Sequence, residues 1–86
     1  MFYVYILQSL VDGSFYIGET RDLKDRLRRH NEGRSRFTRL RAPWKMVYFE
    51  EYKTRSEAIK REREIKKKKS KRFIVDLIET KNGAVV

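Results

Sequence analysis

Five side chains of this 86-residue sequence have the types needed to act on a phosphodiester. They are two tyrosines, an arginine, a histidine and a glutamate: Tyr5, Tyr16, Arg26, His30 and Glu62. An arginine presents a planar fork of donors that matches phosphate oxygens and stabilises the added negative charge of a transition state. A lone carboxylate can hold a Mg²⁺ ion that keeps most of its waters, and a tyrosine or histidine can orient or deprotonate the attacking water. This combination predicts hydrolysis of a phosphodiester.

Other catalytic patterns are missing from the sequence. It has no cysteine and one histidine, which excludes disulfides and thiolate metal sites and argues against zinc. It has no Ser-His-Asp series and no glycine-rich phosphate loop. No apolar run approaches the roughly 18 residues of a membrane span, and the N-terminus lacks the features of a signal peptide. We therefore expect a cytoplasmic protein that has no membrane partner.

The stretch from Phe15 to Asn31 must position three of the five side chains. A short apolar strand ends at Gly18, and a helix with a stripe of two leucines follows. On a 3.6-residue wheel, Arg26 and His30 fall beside that stripe, one turn apart. An arginine near a core needs a partner. Arg26 therefore either meets a carboxylate inside the protein, with Glu62 as a candidate, or binds a charged ligand.

The glutamate lies on a second predicted helix, from Arg55 to about Lys69. On the wheel, Glu62 falls between the apolar residues Ala58 and Ile65, in the middle of the packing face. A carboxylate there is unfavourable unless a cation or hydrogen-bond donors compensate its charge. The alternative is a structural side chain that reaches past the edge of the apolar stripe.

The tyrosines lie on a predicted β-hairpin. Phe2 to Leu7 is apolar and rich in β-branched and aromatic residues, and Asp12-Gly13 is typical of a two-residue type I′ turn. This turn would pair Val11 with Ser14, Ser9 with Tyr16 and Leu7 with Gly18. The residues that this register puts on one face, beside open space at Gly18, are Tyr3, Tyr5, Leu7 and Tyr16.

The remaining segments complete a small antiparallel sheet packed against helices, an α+β fold in one domain of residues 1–86. After the hairpin the sequence predicts a helix that is capped by Thr20 or Asp22 and ends near Gly33, and then a mobile basic loop from Arg34 to Arg41. A strand from Trp44 to Tyr52 follows, and a Thr54–Glu57 capping box opens the second helix. A third helix is capped by Ser70, and a tail begins at Asn82. In this arrangement the first two helices could bring Arg26, His30 and Glu62 to the tyrosine face.

The chain is strongly basic. It has 22 Lys and Arg against 12 Asp and Glu, a net charge of +10, and no basic residue before Arg21. Such a charge favours a polyanionic partner, nucleic acid before an anionic membrane. The candidate phosphate contacts are Arg21, Arg34, Arg36, Arg39 and Arg41, and Phe37 is a weak candidate for base stacking. The alternative is that these runs are ordinary solvated surfaces.

Together these features resemble the GIY-YIG nuclease domain, across essentially the whole chain. The residues that carry the resemblance are Tyr3-Val4-Tyr5, Tyr16-Ile17-Gly18, Arg26, His30, Pro43 to Lys45, and Glu57-Ala58 followed by Glu62. The likeness is greatest to small, single-domain bacterial members of uncharacterised role. It implies a three-stranded antiparallel sheet flanked by about three helices, one divalent ion, Mg²⁺ or Mn²⁺, and an endonuclease acting on DNA rather than RNA, in repair or recombination.

The resemblance also implies individual roles. Tyr5 and Tyr16 would be the motif tyrosines, one of which positions or activates water. Arg26 would stabilise the phosphate and Glu62 would bind the metal, while His30 stands where relatives have a histidine or a tyrosine. The structural glycine of the motif would be Gly18.

Three positions depart from the pattern of the family. Tyr3 replaces the first glycine of the motif, a common change that alters little. Glu19 stands where repair-type relatives carry a lysine thought to assist catalysis, so its negative charge could lower activity or alter metal binding. Some relatives use an asparagine after the glutamate, and Asn82 is a candidate for it.

Several alternatives stay open at this point. The tyrosines could be ordinary strand aromatics, and His30 could be a charge partner of its helix C-terminus. For the whole protein, one alternative is a basic nucleic-acid-binding module with little or no nuclease activity. Another is an adaptor that binds proteins through its lysine-rich helix.

Overall fold

Three strands and three helices make up the chain in the computed structural model, which describes the backbone of residues 1–85 and the side chains of residues 1–80. The strands are β1 (Phe2–Ser9), β2 (Phe15–Thr20) and β3 (Trp44–Tyr52). The helices are α1 (Leu23–Asn31), α2 (Arg55–Lys68) and α3 (Lys71–Val85), with a 3₁₀ turn at Arg39–Arg41. The strands form an antiparallel sheet in the order β2-β1-β3, which confirms the predicted α+β class. No helix within residues 1–85 is long and apolar enough to cross a membrane.

The central strand β1 separates two apolar layers, one on each face of the sheet. The layer under α2 and α3 is built on Val4, Ile6, Ala58, Ile65 and Ile74. The layer on the α1 side is built on Tyr5, Leu7 and Trp44, with Leu23 and Leu27 of α1 packed against it. Because both faces of β1 are covered, its sequence is continuously apolar rather than alternating.

The register of the β1–β2 hairpin differs by two residues from the predicted one. Leu7 pairs with Tyr16 and Tyr5 pairs with Gly18, whereas the sequence predicted Leu7 opposite Gly18 and Ser9 opposite Tyr16. A shift by two residues leaves every side chain on its predicted face, because side chains alternate with a period of two. The register was wrong, but the predicted tyrosine face is confirmed.

A longer connection than the predicted two-residue turn sets this register. β1 ends at Ser9, whose hydroxyl accepts the amide hydrogens of Val11 and Asp12 at 3.0 and 3.3 Å. The carboxylate of Asp12 in turn accepts the amide hydrogen of Ser14 at 3.0 Å. These side-chain bonds close a wider turn over residues 10–14, so the strands pair further from its tip.

A β-bulge explains why β3 alternates imperfectly. Ile6 pairs with Tyr48 and Leu7 with Met46, which leaves Val47 as an extra residue on β3. A bulge changes which face the following residues occupy. Met46 therefore packs on the Tyr5 side of the sheet, whereas Val47 packs against the layer under α2 and α3.

The helix starts follow the predicted caps. Asp22, Thr54 and Ser70 each accept the amide hydrogen of the residue three positions later, at 3.0, 3.2 and 3.1 Å. The predicted tail is wrong, since α3 continues through Asn82 to Val85. One glycine lowers helix stability by only about 1 kcal/mol, so it does not end a helix that packing supports. The side chain of Asn82 lies outside the described residues.

Candidate active site

A basic cleft of about 480 Å³ opens on the sheet face that α1 covers. The residues that line it are Tyr16, Arg26, Arg29, His30, Arg34 and Ser35. β2 supplies the tyrosine, while α1 and the segment that follows it supply the rest. The cleft thus brings together three of the five side chains that the sequence singled out.

Tyr5 forms the floor beneath this cleft. It lies on the central strand and is 0% exposed. Its ring occupies the space beside Gly18, where a methyl group added to the glycine would come within 2.6 Å of the Tyr5 Cζ. The space beside Gly18 that the sequence predicted is therefore filled by Tyr5, and any larger residue at this position would displace the phenol.

The imidazole of His30 links Tyr5 to the segment that follows α1. His30 Nε2 lies 3.0 Å from the Tyr5 hydroxyl, and His30 Nδ1 lies 2.7 Å from the hydroxyl of Thr38. Burial, and then the positive charge of Arg26, lower the pKa of His30. A buried neutral ring does not serve as a charge partner for the helix C-terminus, which was the structural alternative for this residue.

Thr38 anchors a segment that the sequence predicted to be a mobile loop. Its side chain is completely buried against His30, and its carbonyl oxygen accepts a hydrogen bond from the Trp44 indole at 2.9 Å. Asn31 holds the start of β3 nearby, because its side chain bonds both the amide and the carbonyl of Trp44 at 2.6 and 3.1 Å. The basic segment is therefore fixed at its centre, which no sequence pattern indicated.

Arg26 enters the cleft without a complete set of partners. Its Nε is buried and has no hydrogen-bond partner among the residues that the structure describes. Within the same part of the chain it forms no ion pair with Glu62, whose carboxylate instead lies 3.5 Å from the Lys66 ammonium. The internal Arg26–Glu62 pair considered from the sequence is not formed. Arg29, by contrast, is paired with the carboxylate of Asp25 at 3.0 Å.

The environment of Tyr5 keeps its hydroxyl protonated. Burial raises the pKa of Tyr5 well above its ordinary value, and the neighbouring Tyr16 and Glu62 add to that rise. The nearby guanidinium of Arg26 acts in the opposite direction, but its effect is smaller. Tyr5 is therefore coupled electrostatically to the arginine and to the glutamate of the predicted site.

Glu62 lies on α2, and its charge acts on Tyr5. It lies on α2 between Ala58 and Ile65, which are 0% and 1% exposed, so its predicted position on the packing face is confirmed. The apolar residues of α2 itself pack in the layer with Val4 and Ile6, while the sequence predicted that this helix could bring Glu62 to the tyrosine face. The carboxylate nevertheless lies near enough for its charge to raise the pKa of Tyr5.

The donors present suit a hard divalent ion with few protein ligands. The described residues contain no group of three or more His, Cys, Asp or Glu side chains that could surround a metal. Mg²⁺ and Mn²⁺ are commonly held by one or two carboxylates, with water and substrate phosphate completing the shell. Glu62 has a side chain that is 20% exposed and could supply that one carboxylate.

The arginines predicted to bind phosphate fall into two places. Arg34 lines the cleft, and Arg36, Arg39 and Arg41 lie exposed on the segment that follows it. Arg21 is elsewhere, with its guanidinium 5.3 Å above the ring of Phe2, which packs in the layer under α2. The structure therefore groups four of the five arginines and separates Arg21 from them.

Glu19 faces away from the tyrosines. It pairs with Val4 in the sheet, which puts its side chain on the α2 side, and its carboxylate lies 3.5 Å from the guanidinium of Arg55. The side chain that departs from the family pattern is thus directed to the opposite face of the sheet and paired with a cation.

Sequence reasoning missed three residues of this site, Arg29, Ser35 and Thr38. Arg29 lies three residues after Arg26, the proposed phosphate ligand, on the same helix. Its position on the helical wheel could therefore have indicated that it belongs to the site. Thr38 carried no such signal, because its role depends on a contact with His30 that only the folded chain creates.

Comparisons with known proteins identify the family and the fold. The family model of the GIY-YIG catalytic domain matches residues 1–74. A UPF0213 protein of Staphylococcus saprophyticus is 45% identical over 65 residues, 74% of this chain and 78% of that protein. One from Staphylococcus aureus is 46% identical over the same shares of both chains. The solution NMR structure of a UPF0213 protein from Bacillus halodurans has a TM-score of 0.60 and 36% identity, covering 96% of this chain and 88% of that one.

Proposed function

This chain belongs to the GIY-YIG catalytic domain family, and from that premise we propose that it is a metal-dependent endonuclease that hydrolyses phosphodiester bonds in DNA. The observation that carries the proposal is the buried Nε of Arg26, which lacks a partner among the described residues in a basic cleft beside Tyr16. A desolvated donor without a partner is unfavourable unless a ligand satisfies it. A phosphate oxygen is the ligand that the fork of an arginine fits best.

Arg26 binds the scissile phosphate in this proposal. The charge of Arg26 is available to a ligand because it has no carboxylate partner within the described side chains. Its neighbour Arg29, by contrast, pairs with Asp25. Charge accumulates on the phosphate oxygens as the nucleophile attacks. A fixed guanidinium inside a cleft stabilises that charge more strongly than water does.

Tyr16 orients the attacking water. It lines the cleft, whereas Tyr5 is fully buried and its hydroxyl already contacts His30. A water that donates a hydrogen bond to the Tyr16 oxygen keeps a lone pair free for the phosphorus atom. Tyr5 stays protonated because of its raised pKa, and it supports the ring of His30 from below.

His30 acts as a positioning residue. Both of its ring nitrogens have partners, Tyr5 on one side and Thr38 on the other, so neither is free to accept a proton from water. Its ring centroid lies 4.9 Å from that of Tyr16. The imidazole therefore holds the two tyrosines and the basic segment in a fixed relation.

Glu62 is the residue that would hold Mg²⁺ or Mn²⁺. When bound, such an ion supplies Lewis acidity at the leaving oxygen and neutralises charge on the phosphate. The carboxylate already senses the site, since its charge contributes to the raised pKa of Tyr5. In the free protein Lys66 lies 3.5 Å from it and balances its charge.

DNA is the favoured substrate, with repair or recombination as the biological setting. The net charge of +10 and the exposed arginines beside the cleft favour a nucleic acid. If about six of these side chains contact phosphates, affinity should fall on the order of 10³-fold between 50 and 200 mM salt.

The test is cleavage of end-labelled duplex, single-stranded and branched DNA with Mg²⁺, Mn²⁺ or EDTA. Arg26→Ala and Glu62→Gln should each lower the cleavage rate by about 100-fold or more, the usual loss when one charge-stabilising group is removed. Arg63→Ala and Glu64→Gln are matched controls on exposed positions of α2 and should cut normally.

The outcomes separate the competing functions. Metal-dependent cutting that Arg26→Ala and Glu62→Gln abolish, in variants that stay folded and bind DNA, supports the endonuclease and this site. Cutting that survives both substitutions contradicts the assigned residues. Salt-sensitive DNA binding without any cutting would replace the proposal with a nucleic-acid-binding module.

A further inference from the structure

The segment between α1 and β3 exposes two large apolar side chains among four arginines. Phe37 is 76% exposed and Leu40 is 89% exposed. We name the arginines of this surface, together with Phe37, the basic platform, and its residues are Arg34, Arg36, Phe37, Arg39 and Arg41. An aromatic side chain exposed to this degree adds little to the core, and the arginines that flank it along the chain favour an anionic partner.

The basic platform is fixed at its centre. The carbonyl of Ser35 accepts the amide hydrogens of Thr38 and Arg39 at 3.2 and 3.1 Å, which closes a tight turn around Phe37. The next residue, Thr38, is buried and contacts His30. Phe37 is therefore displayed on the outside of an anchored turn. The backbone that carries Phe37 is therefore ordered before a ligand binds, which reduces the conformational entropy lost on binding.

The basic platform is also continuous with the proposed active site. Arg34 and Ser35 line the cleft, and Phe37 follows two residues later. At its other end, the backbone carbonyl of Arg41 accepts a hydrogen bond from the Ser9 hydroxyl at 2.6 Å. A strand whose phosphate lies in the cleft would therefore meet the arginines and Phe37 with its neighbouring nucleotides.

We propose that Phe37 is a stacking platform for an unpaired base of the nucleic acid whose phosphates contact the surrounding arginines. The proposal rests on the nuclease function and names its substrate class, a strand that is single or unpaired next to the cleavage point. Aromatic side chains stack on the exposed faces of any base, whereas the bases inside a duplex already stack on each other. The arginines supply the phosphate contacts that every nucleic acid offers.

The experiment compares Phe37→Ala, Phe37→Trp and Leu40→Ala with the wild-type chain in EDTA, which prevents cutting. The probes are fluorescein-labelled oligo-dT of 12 nucleotides, the matching oligo-U, and a blunt duplex of 20 base pairs. Phe37→Ala should weaken binding of the single strand by about 5- to 100-fold, the range for loss of one stacked base. Its duplex affinity should be unchanged, and Phe37→Trp should bind the single strand normally.

Leu40→Ala is the matched control. It removes an apolar side chain that is even more exposed than Phe37 but has no π face, so its effect on single-strand affinity should be small. Salt dependence gives a second readout. Phe37→Ala should keep the wild-type slope of log affinity against log salt, whereas Arg36→Ala should reduce it by about 0.7 on a single strand, as expected for one lost phosphate contact.

Four results would overturn the stacking proposal. They are wild-type affinity of Phe37→Ala for the single strand, equal loss on single strand and duplex, an equal loss in Leu40→Ala, and a Phe37-dependent affinity for vesicles of equal phosphatidylglycerol and phosphatidylcholine that exceeds the affinity for DNA. Its failure is distinguishable from failure of the nuclease. If the protein cuts DNA with metal but Phe37→Ala binds the single strand normally, the nuclease proposal stands and the stacking proposal fails. If binding depends on Phe37 but no cutting is seen, the stacking proposal stands and the nuclease proposal fails.

Discussion

Two clusters of the same residue types lie on opposite faces of the sheet, and they differ in how completely their charges are paired. The cleft cluster comprises Tyr5, Tyr16, Arg26 and, through its charge, Glu62. The second, which we name the Glu50 cluster, comprises Tyr48, Glu50, Tyr52 and Arg61. Each thus contains two tyrosines, one arginine and one glutamate.

In the Glu50 cluster, the arginine and both tyrosines donate hydrogen bonds to the one carboxylate. Arg61 donates to the Glu50 carboxylate through Nε at 2.9 Å and through Nη2 at 3.1 Å, the bidentate geometry of a strong ion pair. The hydroxyls of Tyr48 and Tyr52 donate to the same carboxylate. Burial alone would raise the pKa of Glu50, but these donors together lower it. Burial and the nearby carboxylate raise the pKa of both tyrosines to about 12.

In the cleft cluster, one buried nitrogen of the arginine has no partner among the described residues. The buried Nε of Arg26 has none among the described residues, and the carboxylate of Glu62 lies beside Lys66 instead. Residue types alone therefore do not separate a functional cluster from a structural one. The two clusters differ in whether the protein itself supplies every hydrogen bond, and an unpaired buried donor calls for an explanation such as a ligand from outside the chain.

The largest expected effect comes from removing Arg26, the arginine of the cleft cluster. Arg26→Ala should lower DNA cleavage by about 100- to 1000-fold, because it removes a charge that acts on the transition state. The free energy of unfolding should change by less than about 1 kcal/mol, since few internal hydrogen bonds are lost. Cleavage rates with saturating Mg²⁺ and urea unfolding midpoints measure the two effects on the same preparation.

Arg61→Ala should give the opposite result. It removes two bonds to Glu50 and leaves that half-buried carboxylate with the tyrosines alone, which we expect to lower stability by about 1 to 2 kcal/mol. For a domain of this size Tm should fall by roughly 5 to 15 °C. Cleavage at a temperature where the variant is folded should stay within about twofold of wild type. Arg63→Ala, an exposed arginine on the same helix, should change neither property. A catalytic defect in folded Arg61→Ala would refute the structural assignment of its cluster.

Local patterns in the sequence predicted much of the fold, because their causes are local. Thr54 and Ser70 were predicted as helix caps, and Asp22 as one of two candidates with Thr20, because each cap bonds an amide three residues away. The tyrosine face followed from the alternation of side chains along a strand. The hairpin register was wrong because side chains of Ser9 and Asp12, rather than a two-residue turn, shape the connection.

Pairing across the fold could not be read from the sequence. Nothing local distinguishes Arg26 from Arg61, since both lie beside apolar stripes of helices. Their difference depends on Glu50, which β3 brings to Arg61 and not to Arg26. Thr38 was missed for the same reason, because its burial against His30 requires the loop and α1 to be folded together.

The smallest expected effect is the pH dependence of stability, which also distinguishes the cleft cluster from the Glu50 cluster. Burial first, and then Arg26, hold the pKa of His30 below its ordinary value of 6.5 in the folded chain. Between the folded and unfolded pKa values the unfolded chain binds more protons, so the free energy of unfolding rises with pH in that interval. Stability should therefore be full above about pH 7 and be lost as pH falls from about 6.5 through the folded pKa.

The sequence contains one histidine, so urea midpoints between pH 5.5 and 7.0 isolate this group from the carboxylates, which titrate near 4. Arg26→Ala removes the second cause of the depressed pKa, and NMR titration of the His30 ring should find that pKa raised and the stability loss correspondingly shallower. Arg61→Ala, whose charge belongs to the opposite face, should leave the titration unchanged. A pH slope that persisted in His30→Gln would mean that another group causes it, and the link between Arg26 and the buried imidazole would then be wrong.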